Sequence, residues 1–169
     1  IHIFTHMATQ LKNLSDFSHT SIPDGSPYKF AIAVAEWNAE VTGALYNGAL
    51  ATLKANGVLD ENIISIAVPG SFELTAAAEI LLNKHPRLDA VICLGCVIQG
   101  DTKHFDFICD AVAQGLTQVG IKHSKAVIFG VLTTNDQQQA IDRAGGKHGN
   151  KGDEAAITAI KMAELAATV

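Results

Sequence analysis

The chain has 169 residues, enough for one domain with a proper core, and is 48% hydrophobic but only 6% aromatic. A formal charge of −5 and the lack of basic runs argue against a nucleic-acid partner. No apolar run reaches about 18 residues, so no membrane span is expected.

Ile1 to His6 read as residues ahead of a natural start at Met7. Residues 1–27 are polar and poorly patterned, and are expected to form an N-terminal arm. No basic region followed by a long apolar core opens the chain, so this arm is not read as a secretory signal. The body, 28–169, is expected to be a single domain.

That body alternates strands and helices. Phe30 to Ala35 is a short apolar run, read as a buried strand. Asn38 can cap the next helix, where Val41, Leu45, Ala49 and Leu53 recur at helical spacing and Gly57 marks the end. Ile63 to Val68 is the second strand. Pro69-Gly70 breaks it, Ser71 can cap, and Phe72 to Asn83 is the second helix.

Ala90 to Leu94 begins the third strand. A third helix starts near Lys103, with Phe105, Ile108, Val112 and Leu116 on one face. Ala126 to Leu132 is the fourth strand, with Asn135 or Asp136 as a cap behind it. Gly145-Gly146 interrupts the following helix, and a last one runs from about Gly152 to Ala167. Strands separated by single helices need crossover connections. The fold class is therefore α/β, a three-layer α/β/α sandwich on a four-stranded parallel sheet.

Cys93, Cys96 and Cys109 sit in apolar surroundings. Cys93 and Cys96 have C-x-x-C spacing, but within a strand rather than at a helix start, and no second pair completes a zinc site. They read as reduced packing residues, which places the chain in the cytoplasm.

In a parallel sheet all four strand exits share one edge, and ligands bind at that edge. The chain's single tryptophan, Trp37, follows strand one. It is either a packing aromatic under a loop or a stacking platform for a planar heterocycle. After strand two comes Ser71-Phe72-Glu73, a helix start whose Glu73 could instead accept hydrogen bonds from ligand hydroxyls.

The richest exit is Cys96-Val97-Ile98-Gln99-Gly100-Asp101-Thr102-Lys103-His104. It runs through one glycine and a hydroxyl into a helix N-terminus, where unpaired N–H groups suit an anion. An imidazole ordinarily titrates near neutrality, so His104 can exchange protons there.

Only two arginines occur, and Arg87 precedes strand three, at the opposite edge. That leaves Arg143 for forked phosphate recognition, in a run from Arg143 to Gly152 rich in glycine and cations. The run reads as a solvated kink or as an anion clamp. No P-loop, Rossmann fingerprint or histidine cluster with metal-ligand spacing occurs. The residues alone point to a cofactor-independent enzyme acting on a planar, hydroxylated or phosphorylated metabolite.

Five blocks then fall into one pattern. Ala35-Glu36-Trp37-Asn38, Val68 to Leu74, Leu94 to Asp106, Phe129 to Thr134, and Arg143-Ala144-Gly145-Gly146 with Gly149 to Gly152 resemble the lumazine synthase family, in its order. The resemblance implies a flavodoxin-like fold and the penultimate step of riboflavin synthesis. There, 5-amino-6-(D-ribitylamino)uracil condenses with 3,4-dihydroxy-2-butanone 4-phosphate to give 6,7-dimethyl-8-ribityllumazine and phosphate, with no cofactor and no metal.

By that resemblance Trp37 stacks on the pyrimidine, and Ser71, Phe72 and Glu73 hold the ribityl chain. Cys96, Val97 and Ile98 line the ring, Asp101 and Thr102 cradle the phosphate, and Arg143 is its counter-charge. Phe129 reaches in from a neighbouring subunit, and His104 transfers protons. Gln99 stands where the family often has a basic residue, and Asp101 where it often has Glu or Ala. The resemblance also implies pentamers, an icosahedral shell, and riboflavin synthase as an associate.

Three rival readings meet the same residues. A lumazine- or flavin-binding module would need neither His104 nor Arg143. An archaeal-type riboflavin synthase is disfavoured by the block from Gly100 to Asp106. A pure shell protein would not need polar residues at every strand exit.

Overall fold

The computed structural model describes residues 13–18 and 20–169. The expected start at Met7, with Ile1 to His6 before it, lies outside the described residues.

The elements follow the expected alternation. They are β1 (Phe30–Ala35), α1 (Ala39–Ala55), β2 (Ile63–Val68), α2 (Leu74–Lys84), β3 (Ala90–Ile98) and α3 (His104–His123). After these come β4 (Ala126–Thr134), α4 (Gln137–Asp142), β5 (Ala144–Gly146), β6 (Gly149–Asn150) and α5 (Lys151–Thr168). Four strands pair in parallel in the order β2-β1-β3-β4, a flavodoxin-like arrangement. The order reverses beside β1 and β3, and at such a switch point the loops part and leave a crevice.

Strand alternation divides the core into two layers. Phe30, Ile32, Ile92 and Leu94 face α1 and α5, against Leu45, Leu53, Ala156 and Ile160. Ala31, Ala33, Val91 and Cys93 face α2 and α3, against Leu74, Leu81, Val112 and Leu116. The three-layer sandwich follows directly. Each fully buried aliphatic side chain contributes about 1.5–3 kcal/mol.

Three local expectations are corrected. Asn38 occupies the N-cap position of α1 in a left-handed conformation (φ 59°), and its side chain makes no cap bond. Ser71 does not cap α2 either. It opens a 3₁₀ turn, Ser71–Glu73, and the Glu73 Oε2 accepts the Gly70 N–H at 3.1 Å, so the helix starts later than expected. The glycine-rich run after Arg143 is no loose kink but a small antiparallel hairpin of β5 and β6. Asn150 anchors it, donating from Nδ2 to the Ala44 carbonyl at 2.9 Å and accepting the Gly152 N–H on Oδ1 at 2.8 Å. Of the two caps proposed for α4, Asp136 is the one used, accepting the Gln139 N–H at 2.8 Å.

Candidate active site

The exits of β1, β2 and β3 are stitched together by backbone. Glu36 and Trp37 donate their N–H groups to the carbonyls of Val68 and Pro69, extending the β1–β2 pairing past the strand ends. This lays the Trp37 indole over Gly70. A Cβ at Gly70 would come within 2.8 Å of the ring, so a side chain there would displace it. Trp37 keeps 67% of its surface exposed and Phe72 keeps 55%. Two such uncovered aromatics at one rim mark a surface built to be covered.

Between them lies a cavity of about 180 Å³ at the switch point, lined by Trp37, Asn38, Ser71, Phe72, His104 and the β3 end from Cys96 to Ile98, with Ile108 of α3. The Ser71 hydroxyl is buried there without a hydrogen-bond partner among the described residues. An unpaired buried hydroxyl costs about 1–3 kcal/mol, and a ligand group or water at the cavity relieves it. His104 is the first residue of α3 and is exposed. Its N–H faces the Thr102 hydroxyl at 3.4 Å.

Burial pushes the Cys96 thiol up to about 11 and the Cys93 thiol up to about 12. Both therefore stay protonated at neutral pH and serve as packing, not as nucleophiles. Glu73 is half-buried beside the cavity, one oxygen held by Gly70. Asp101 and Thr102 are exposed on the loop leading into α3.

Arg143 and Phe129, the second of which the resemblance assigns to a neighbour's site, lie outside this cavity. Arg143 follows α4 and lines a separate pocket of about 240 Å³, with Lys151, Gln139, Thr133, Thr134 and Leu14. Its Nη1 donates to the Gln139 carbonyl at 3.0 Å. Among the described residues the two cavities share no lining residue. Phe129 stands on edge strand β4, 37% exposed and outside both. Arg87 is at the opposite edge of the sheet as expected, beside Lys29 and Lys84.

Sequence reasoning passed over Asn38 and Lys151. Asn38 read as a cap, yet its Nδ2 donates to the Cys96 carbonyl at 3.0 Å and it lines the first cavity. Lys151 read as part of a kink, yet it lines the Arg143 pocket and pairs with Glu154 at 2.9 Å.

A flavodoxin-like parallel sheet with an aromatic-rimmed cavity at its switch point defines the class, an α/β protein with a cavity at its strand exits. Residues 27–167 match the family profile described as 6,7-dimethyl-8-ribityllumazine synthase. A 6,7-dimethyl-8-ribityllumazine synthase of Cytophaga hutchinsonii is 58% identical over 163 residues, covering 96% of this chain and all of the relative. That of Porphyromonas gingivalis is 55% identical over 159 residues, covering 94% of this chain and 98% of the relative. That of Parabacteroides distasonis is 52% identical, covering 95% of this chain and all of the relative. The chain belongs to the 6,7-dimethyl-8-ribityllumazine synthase family.

Proposed function

We propose that this chain is a transferase that condenses 5-amino-6-(D-ribitylamino)uracil with 3,4-dihydroxy-2-butanone 4-phosphate, releasing 6,7-dimethyl-8-ribityllumazine, phosphate and two waters. The observation that carries the reading is the junction of Trp37, the orphaned Ser71 hydroxyl and His104 around one cavity at the switch point. A stacking face, a buried polar partner and a proton carrier are what joining a hydroxylated heterocycle to a ketone requires.

The pyrimidine lies on Trp37. Its ribityl chain runs along Ser71, Phe72 and Glu73, with Cys96, Val97 and Ile98 against the ring. The amine attacks the ketone, water leaves as an imine forms, phosphate is expelled, and ring closure loses a second water. Each step moves a proton, and His104 carries it. Such acid–base help contributes about two to four powers of ten. Holding two substrates in register contributes about 7–11 kcal/mol, so positioning dominates.

The phosphate sits between the loop of Asp101 and Thr102 and the guanidinium of Arg143. Since Arg143 and His104 line separate cavities in one chain, the Arg143 that meets a given His104 comes from a neighbouring copy, as does Phe129. Size supports this. A cavity of about 180 Å³ is below the range of roughly 300–1,000 Å³ usual for ligand sites. The assembly is a pentamer, and the short β5–β6 hairpin favours packing of pentamers into an icosahedral shell. Residues 28–169 form the working domain with 1–27 as its arm. The setting is cytoplasmic, in keeping with the buried thiols, and a riboflavin synthase is the associate that consumes the product. Among the described residues no helix is long and apolar enough to cross a membrane.

Mixing the two substrates with purified protein tests the reading. Growth of lumazine fluorescence with matching phosphate release supports it, and neither appearing defeats it.

A further inference from the structure

We propose that the arm segment 13–15 is a fastening and outer wall of the Arg143 pocket, and so sets affinity for the phosphorylated substrate. This rests on the assignment of the phosphate to Arg143 made above.

The pocket's two cations are placed by the β5–β6 hairpin. His148 donates its N–H to the Asp142 carbonyl and Lys151 to the Arg143 carbonyl, each at 2.8 Å. Lys147 closes on Asp142 at 3.0 Å. From the far side the hairpin is held by the arm. The Leu14 N–H donates to the His148 carbonyl at 2.7 Å, and the Asn150 N–H donates to the Ser15 hydroxyl at 2.9 Å. Asn13 fixes this turn by accepting the Ser15 N–H on Oδ1 at 2.9 Å.

The hairpin is cut to receive it. Gly149 has φ +79°, and a Cβ there would stand 2.7 Å from the Ser15 nitrogen and 2.8 Å from that of Leu14. Leu14 itself, half-buried, is an apolar wall of the pocket that holds Arg143 and Lys151. Among the described residues no carboxylate lines that pocket, and Glu154, which pairs with Lys151 at 2.9 Å, is outside its lining. An apolar wall against two cations keeps water away and strengthens their hold on an anion. The arm's later contact, Lys161 to Thr20, is made on α5 by residues outside that pocket.

The test compares Leu14→Ala, which thins the wall, Leu14→Pro, which also removes the donor to His148, and Thr20→Ala, an arm change outside the pocket. Binding of inorganic phosphate is measured by calorimetry on assembled full-length protein, with Michaelis constants for both substrates alongside. Leu14→Pro should bind phosphate roughly fivefold more weakly, as expected from one lost hydrogen bond, and Leu14→Ala should weaken binding in the same direction. They should raise the constant for the butanone phosphate by a similar factor. The constant for the pyrimidine, and every value for Thr20→Ala, should stay at wild type. Unchanged phosphate affinity in both Leu14 variants, or an equal loss in Thr20→Ala, overturns the proposal. Phosphate binding decides the arm's role even if the wild type makes no lumazine, an outcome that would defeat only the functional reading.

Discussion

Asn38 and Cys96 are joined across the switch point, the Nδ2 of one donating to the carbonyl of the other at 3.0 Å. The bond ties the exit of β1 to that of β3, so the Trp37 platform and the β3 wall keep a fixed spacing. It is possible because Asn38 holds a left-handed backbone, φ 59°, which asparagine tolerates better than most residues.

Asn38→Gly keeps the backbone and loses only the bond, and should cost about 1 kcal/mol. Asn38→Ala adds left-handed strain and should cost about 2 kcal/mol. Urea denaturation separates the two. Both variants should bind the pyrimidine more weakly, and equal stabilities would show that the left-handed backbone carries no strain here.

His104→Ala should lower turnover by about two to four powers of ten while leaving substrate binding largely intact. Single-turnover kinetics isolate the chemical step. Residual activity is expected on the proposed assignment, in which Trp37 and Ser71 position the pyrimidine. An unchanged chemical rate would remove His104 from the proton path.

Arg143→Ala should mainly weaken the phosphorylated substrate, by about tenfold or more, since a hydrogen bond to a charged group contributes about 1.5–3 kcal/mol. Steady-state constants measured separately for each substrate check this. Wild-type values for both would show that the pocket is not a phosphate site.

Glu79 clips α2 to α3, accepting from Lys122, from His123 Nε2 at 2.8 Å and from Asn83 at 2.9 Å. Those hydrogen bonds, that to Lys122 foremost, hold its carboxyl down to about 2 from an ordinary 4.5. A depressed carboxyl stabilises the fold above its unfolded value and loses that contribution as pH falls toward its folded one. Wild-type melting temperature should therefore drop between about pH 4.5 and pH 2. Glu79→Gln should melt lower at neutral pH and show a shallower drop over that interval.

The sheet and its helices were legible because they follow period. Six-residue apolar runs became β1 and β2 at their expected bounds, and Val41, Leu45, Ala49 and Leu53 all point inward. The β5–β6 hairpin was not legible. Its strands are too short for alternation, and its anchor is a side-chain bond from Asn150 to Ala44 across the chain. The strand-exit residues were readable as candidates, since a parallel sheet brings all exits to one edge. Which cavity each would enter was not, because position along the chain says nothing of the face on which a loop settles. His104 came to rest on the α2–α3 side, and Arg143 beside α4 and α5.

The central claim is a site divided between two copies, with Trp37 and His104 from one and Arg143 from the next. Complementation tests it most directly. His104→Ala and Arg143→Ala chains, each feeble alone, are unfolded together, refolded as a mixture, and assayed for lumazine fluorescence. A head-to-tail ring with random mixing makes roughly a quarter of its sites intact, so activity should rise to about that fraction of wild type. Activity no higher than the average of the two variants would contradict the divided site.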